Sequence, residues 1–213
     1  MKILSGTGAS KGIAFGNLHF HAKESDAPKK IHITDIDAEV KRFEQGKEQA
    51  VKQLGDLYKK ALKEVGESRS LIFEMHQMMV RDEDYCNTII KTIKDERVNA
   101  EYAVSKASDQ FSQLFANMDD EYMRGRAADV KDISKRLLSI LSGKSVDTGV
   151  YSQPIVLAAD DLSPSETVQL DKDKILAFVT KKGSTNSHTA ILARTMGIPA
   201  VIGLGGSLAD QYQ

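Results

Sequence analysis

One run, GSTNSHTAILARTMG over residues 183–197, holds most of the residues that could do chemistry. Gly183 permits a sharp turn, and Ser184, Thr185, Asn186 and Ser187 present hydroxyls and an amide. His188 follows. Behind it Ile191, Leu192 and Met196 fall at the spacing of a buried helical stripe, with Gly197 as a stop and Pro199 beyond. The histidine therefore stands at, or one step inside, a helix N-terminus. The positive end of a helix disfavours a protonated ring, and its free amides suit a phosphate or carboxylate. A neutral imidazole that must accept an anionic group gains from both, which is a setting for nucleophilic attack on phosphorus.

Spacing alone ranks a plainer role first, because a histidine near a helix start is most often a cap, a core polar group or a solvated side chain. A Ser–His hydrolase fits badly: adjacent Ser187 and His188 do not readily face each other, and no nucleophile elbow is present. A metal site fits worse, with no second ligand at helical spacing from His188. Cys86 is the only cysteine, which excludes an intrachain disulfide. GTGASKG near the start fails the phosphate-loop spacing. A net charge of −1 sets up no field for nucleic acid or an anionic membrane, and no Lys/Arg run supplies a local one. No segment is long enough to span a bilayer, and the N-terminus lacks a signal-peptide core. The expectation is a soluble cytoplasmic protein with no nucleic-acid or membrane partner and no metal or cofactor of its own.

The elements that must position His188 are legible in outline. Within residues 1–21 an alternating, glycine-interrupted pattern places Ile13, Phe15, Leu18 and Phe20 as a strand, and residues 22–32 read as a polar linker. Residues 33–142 contain no proline. There Ile36, Val40, Phe43, Ala50, Leu54, Leu57 and Ala61 keep a 4-3-4-3 rhythm, broken only by Lys47, which predicts a helix over about 35–65 ending at Gly66. A second helical stretch covers SLIFEMHQMMV and, after RDEDY, NTIIKTIKDE. Two more follow, the last with Val130, Ile133, Leu137, Leu138 and Leu141 on one face and Gly143 at its end. Four helical segments with short joints predict an antiparallel bundle. After residue 150, QPIVLAA, KILAFVT and IPAVIG read as strands, alternating with a helix that starts at Ser163–Pro164 and with the His188 helix. The predicted architecture is an α/β domain from residues 1–21 and 144–213, with an inserted all-α bundle over 22–143.

Four stretches carry a family resemblance: GSTNSHTAILARTMGIPAVIG, SGTGASKGIAFG, IFEMHQMMVRDED with DDEYMRGRAADVKDISKRLL, and LAADDLSPSETVQLDKDKILAFVT. In this order they resemble the N-terminal half of enzyme I, the phosphoenolpyruvate–protein phosphotransferases of bacterial sugar uptake. The resemblance runs along nearly the whole chain. It implies a swivelling phosphohistidine domain in which Nε2 of His188 takes a phosphoryl group from phosphoenolpyruvate and passes it to a histidine of the carrier HPr. It also implies that Thr167 hydrogen-bonds the active histidine, that Arg194 lies near the phosphoryl group, and that Ser187 and Asn186 support it.

By the same resemblance HPr docks on the bundle, around Met78, Met79, Asp82, Glu83 and Asp84, with Glu67 and Phe115 as further contacts. Methionines make adaptable apolar contacts, and carboxylates steer a carrier with a basic face. Taken by spacing alone, a methionine stripe is more often core and RDED a solvated turn. His76 reads as a packing or polar surface residue, and Arg126 with Asp129 as an intrabundle or interdomain ion pair. Two departures stand out: Ser184, Thr185 and Asn186 replace the family's glycine, arginine and threonine, and Lys11 stands where a proline is usual. The family continues into a barrel that binds phosphoenolpyruvate and Mg2+ and forms a homodimer. The expectation is therefore a monomeric piece, short of the last strands of its α/β part, that exchanges phosphate with HPr but does not use phosphoenolpyruvate alone. The alternatives are another enzyme I-like protein of a regulatory or dihydroxyacetone pathway, or a non-catalytic helical binding module.

Overall fold

The computed structural model describes residues 3–21, 27–143, 151–185 and 187–208. The chain divides into two compact units: Met1–Ser25 with Asp147–Gln213, and Asp26–Val146.

The second unit is helical: α1 (Ile36–Val65), α2 (Glu67–Val80), α3 (Glu83–Glu96), α4 (Ala100–Ala116) and α5 (Glu121–Leu141). Aspartates fix three of the starts. Asp35, Asp82 and Asp120 accept from the amides of Ala38, Tyr85 and Met123, each at 2.9 Å, and so satisfy N–H groups that have no partner inside the helix. The apolar rhythm of α1 buries Phe43, Ala50, Leu54, Leu57 and Ala61. Lys47, in the vacant position, pairs with Glu44. α1 packs on α2 and α5, and α4 packs on α5 and α3. Small residues of α4 (Ala100, Ala103, Ala107) are fully buried, letting the neighbouring backbones approach closely. The expected second stretch is two helices rather than one, because Asp82 caps a new start inside RDEDY. Of the expected α5 stripe, Val130, Ile133 and Leu137 are buried, whereas Leu138 and Leu141 are half-buried.

The first unit is a five-stranded sheet in the order β1-β5-β4-β3-β2, from Thr7–Ser10, Asn17–Phe20, Ile155–Ala159, Ile175–Thr180 and Ala200–Ile202 taken as β1 to β5 in chain order. β2 to β5 run parallel, and β1 lies antiparallel on β5. The crossover helices are α6 (Pro164–Gln169) and α7 (His188–Met196). The glycine-rich opening differs from the single strand expected: it supplies two strands on opposite edges. Ile13 and Phe15 are not in a strand and are 85% and 88% exposed. The connection between the strands passes so close to the segment before β5 that a Cβ on Gly12 would stand 2.5 Å from Pro199 Cγ, and it makes no ladder of its own. Leu18 and Phe20 do pack inward, against Ala158, Leu204 and Leu208. The architecture is an α/β layer with a helical bundle inserted into it, as expected.

Candidate functional site

The loop and helix around His188 are held by hydrogen bonds specific to this sequence. Ser187 is the N-cap of α7: its Oγ accepts from the Ala190 amide at 3.3 Å, and its own amide donates to the Ser184 carbonyl at 2.9 Å. Gly183 has φ +109°, a conformation L side chains avoid, and a Cβ there would stand 3.2 Å from Ser187 Oγ. Before it, Thr180 Oγ1 donates to the Lys182 carbonyl at 2.5 Å and tightens the turn out of β4. The amides of Leu204 and Gly205 donate to the carbonyls of Thr180 and Lys181, so the segment after β5 lies beside this turn.

His188 is the first residue of α7 and is exposed. Among the described residues nothing hydrogen-bonds its ring, and its amide and that of Thr189 have no acceptor. The ring is therefore open to a second molecule at the positive end of a capped helix. Thr189 Oγ1 reaches Asp161 Oδ1 at 3.4 Å, and the same oxygen accepts from the Leu162 amide at 2.9 Å, which ties the start of α7 to the loop after β3. Lys181 pairs with Asp160 at 3.1 Å. These groups collect at the carboxyl ends of β3 and β4, where open α/β sheets place their ligands. Sequence reasoning missed Asp160, Asp161, Lys181 and Thr189; no periodicity marks them.

The other expected residues divide. Thr167 is buried, and its hydroxyl donates to the Pro164 carbonyl at 2.8 Å. The expected bond to His188 is absent among the described residues, because a threonine in the first turn of a helix can bond back to the carbonyl three residues earlier. The start of α6 carries a full capping box: Ser163 Oγ accepts from the Glu166 amide at 3.3 Å, and Glu166 Oε2 accepts from the Ser163 amide at 2.8 Å. Glu166 Oε1 also lies 3.1 Å from His21 Nε2, at the end of β2. Arg194 donates to backbone carbonyls of Thr185 and Ala9. Behind the histidine, Leu192 is buried, while Ile191 and Met196 are half-buried; Thr189, Ala190 and Ala193 complete the inner face. Asn186 lies outside the described residues.

In the helical unit Glu67 and Met78 stand within about 20° of each other on α2 at 100° per residue. With Leu71 they form one exposed face, Met78 being 73% exposed. Leu71 is an addition that its position alone would have given. Met79 is half-buried. Asp82 caps α3 and is exposed, as are Glu83 and Asp84 in the first turn. Phe115 is half-buried near the end of α4. His76 is not on the surface: it is fully buried, with Nε2 3.2 Å from Asp129 Oδ1 and Nδ1 3.7 Å from Asp132 Oδ2. Arg126 and Asp129 form an intrabundle pair at 3.2 Å. Among the described residues no helix is long and apolar enough to cross a membrane, and no three or more His, Cys, Asp or Glu side chains are placed so that they could hold a metal ion.

Two family models match the chain, one described as PEP-utilising enzyme, N-terminal, over residues 5–126, and one as PEP-utilising enzyme, mobile domain, over residues 151–212. The chain is 42% identical over 204 residues to a phosphoenolpyruvate-protein phosphotransferase of Haemophilus influenzae, covering 94% of this chain and 36% of that protein. It is 39% identical over 203 residues to the protein of the same name from Listeria monocytogenes, covering 95% and 36%. It thus spans little more than a third of the length of these relatives. A solution NMR structure of an Enzyme I protein superposes with a TM-score of 0.78 at 35% identity, covering 97% of this chain and 85% of that one. An N-terminal domain of Enzyme 1 - Nitrogen gives 0.66 at 25%, covering 94% and 83%.

Proposed function

The chain belongs to the PEP-utilising enzymes, and from this we propose that His188 carries a phosphoryl group between phosphoenolpyruvate and a histidine of the carrier HPr, the first transfer of sugar phosphotransferase uptake, in the cytoplasm. The observation that carries the reading is the exposed imidazole at the capped start of α7, without a hydrogen-bond partner among the described residues and inside the stretch matched by the mobile-domain family. The higher identity and TM-score to the Enzyme I structure support this sugar-system reading over a nitrogen-related one.

In the exchange with HPr, the Nε2 lone pair of neutral His188 forms a new N–P bond while the N–P bond on the carrier breaks. The carrier's phosphorylated ring, protonated at its other nitrogen, departs with that electron pair as a neutral imidazole, and the proton already on Nδ1 leaves phosphorylated His188 as the corresponding imidazolium. The free amides at the start of α7 stabilise the phosphoryl oxygens during the passage, together with the hydroxyls of Ser184 and Thr185. Asp161, through Thr189, keeps that helix end in place. Carrier docking we assign to the exposed face of Glu67, Leu71 and Met78 and to the acidic start of α3 at Asp82, Glu83 and Asp84, where carboxylates meet a basic partner. Met79 and Phe115 line its edges. Phosphoenolpyruvate binding, Mg2+ and dimerisation we assign to the part of the longer relatives that this chain does not span.

Incubation with radiolabelled phospho-HPr tests the reading. The chain is expected to take up an acid-labile, base-stable label that His188→Ala abolishes; an unlabelled wild-type chain would overturn it.

A further inference from the structure

Arg194 follows His188 by about one and two-thirds turns of α7, and its guanidinium is engaged with backbone on both sides. Nη2 donates to the Thr185 carbonyl at 2.8 Å, and Nη1 to the Ala9 carbonyl at 3.3 Å. Thr185 lies in the loop that leads into His188. Ala9 lies on β1, at the opposite end of the chain, and α7 packs against that strand. The Ala9 carbonyl is available because β1 slips register there: Gly8 faces Val201 and Ser10 faces Ala200, leaving the buried Ala9 between them without a ladder partner. A carbonyl at such a bulge gains from a donor outside the ladder, and Arg194 supplies one.

We propose that Arg194 is a positioning residue for the histidine loop, a two-pronged brace between Thr185 and the β1 bulge, and not a ligand of the phosphoryl group. Its guanidinium suits the task because a planar fork holds two N–H directions at fixed spread, whereas an ammonium is a point charge on a flexible stem. The brace fixes the turn in which the Ser187 amide meets the Ser184 carbonyl, and so the place from which α7 and His188 begin. Its consequence for transfer rests on the phosphoryl-transfer reading above; the brace itself does not.

Two measurements on Arg194→Gln and Arg194→Lys separate these layers. In the unphosphorylated chain, amide exchange at Ser187 is expected to accelerate at least ~10-fold in Arg194→Gln, while β3 and β4 amides keep their protection. Arg194→Lys, able to hold one carbonyl at a time, falls between. If Arg194→Gln loses β3 and β4 protection, the Lys variant is the comparison, and unchanged Ser187 protection in it overturns the brace. In phospho-HPr exchange, a displaced loop is expected to slow labelling of His188 by about 10- to 100-fold in Arg194→Gln, with partial recovery on adding methylguanidinium. Arg194 side-chain N–H signals in the wild type should stay in place when His188 is phosphorylated; a large shift would assign Arg194 to the phosphoryl group instead. A wild-type chain that takes no label removes the transfer reading, while the exchange data still decide on the brace.

Discussion

Ser187 joins three tasks in one residue: its hydroxyl caps α7, its amide closes the loop on Ser184, and its carbonyl accepts the Ile191 amide at 3.0 Å. Removing the hydroxyl leaves an amide at the helix start without a partner. Ser187→Ala is expected to destabilise the sheet unit by about 1 kcal/mol, and Ser187→Gly by only a few tenths, read as urea midpoints with a probe in that unit. Equal losses for the two would show that capping is not what Ser187 supplies. The capping role of Ser163 was legible in sequence because serine, proline and glutamate stand at fixed offsets. The partners of Arg194 were not, because backbone carbonyls leave no trace in residue type and Ala9 is remote along the chain. Thr167 shows a related limit: a hydroxyl near a helix start has a local acceptor that competes with any distant one.

Among the elements, the pairing of α2 with α5 rests on a buried polar contact as well as on apolar packing. His76 is enclosed by Asp129 and Asp132, and Asp129 also meets Arg126. Deleting one partner leaves the others buried and short of a counterpart, so Asp129→Ala is expected to destabilise the bundle by about 3–5 kcal/mol. Helical circular dichroism through a guanidinium titration measures it; a loss below about 1 kcal/mol would mean that water replaces the carboxylate. The helical period revealed which residues share a face, and so the long stripe of α1. It did not reveal that a histidine in a methionine-rich segment turns inward, since the aspartates that receive it come from another helix. The interruption between α2 and α3 was visible at RDEDY, but not that Asp82 there caps a separate helix.

At the scale of the molecule, the bundle's first and last segments are both fastened to its body. The incoming chain bridges His32 to Val98, donates the Ile31 amide to Asn99 Oδ1 while the Ile31 carbonyl accepts from the Asn99 amide, and sets Lys30 2.9 Å from Glu96. At the far end, Arg42 reaches the Leu141 carbonyl at 3.0 Å and Glu101 at 2.7 Å. Hydrogen bonds from Lys106 and then Lys30 hold the Glu96 carboxyl down to about 2. A carboxylate with a lowered folded-state pKa stabilises the fold above its unfolded value of about 4.3. That contribution fades as pH falls towards about 2. Glu96→Gln should therefore flatten the acid limb of stability in that window, modestly and less so at high salt, because the site is near the surface. Midpoints measured against pH at two salt concentrations check it; an unchanged limb would show that the pairs do not persist in solution. Local pattern exposed the α/β layer and the inserted bundle, because proline-free helical periodicity and short apolar runs differ in kind. The antiparallel seat of β1 was invisible, since pairing partners at opposite ends of a chain share no local signal.

That seat has a consequence for the order of assembly during synthesis. The helical bundle is one continuous stretch and can close as soon as it has left the ribosome. β1 is made first yet finds its neighbour β5 only after nearly two hundred further residues, so the earliest strand is among the last to be placed. The bulge at Ala9, and with it the brace on the histidine loop, is completed only once β5 has joined the sheet.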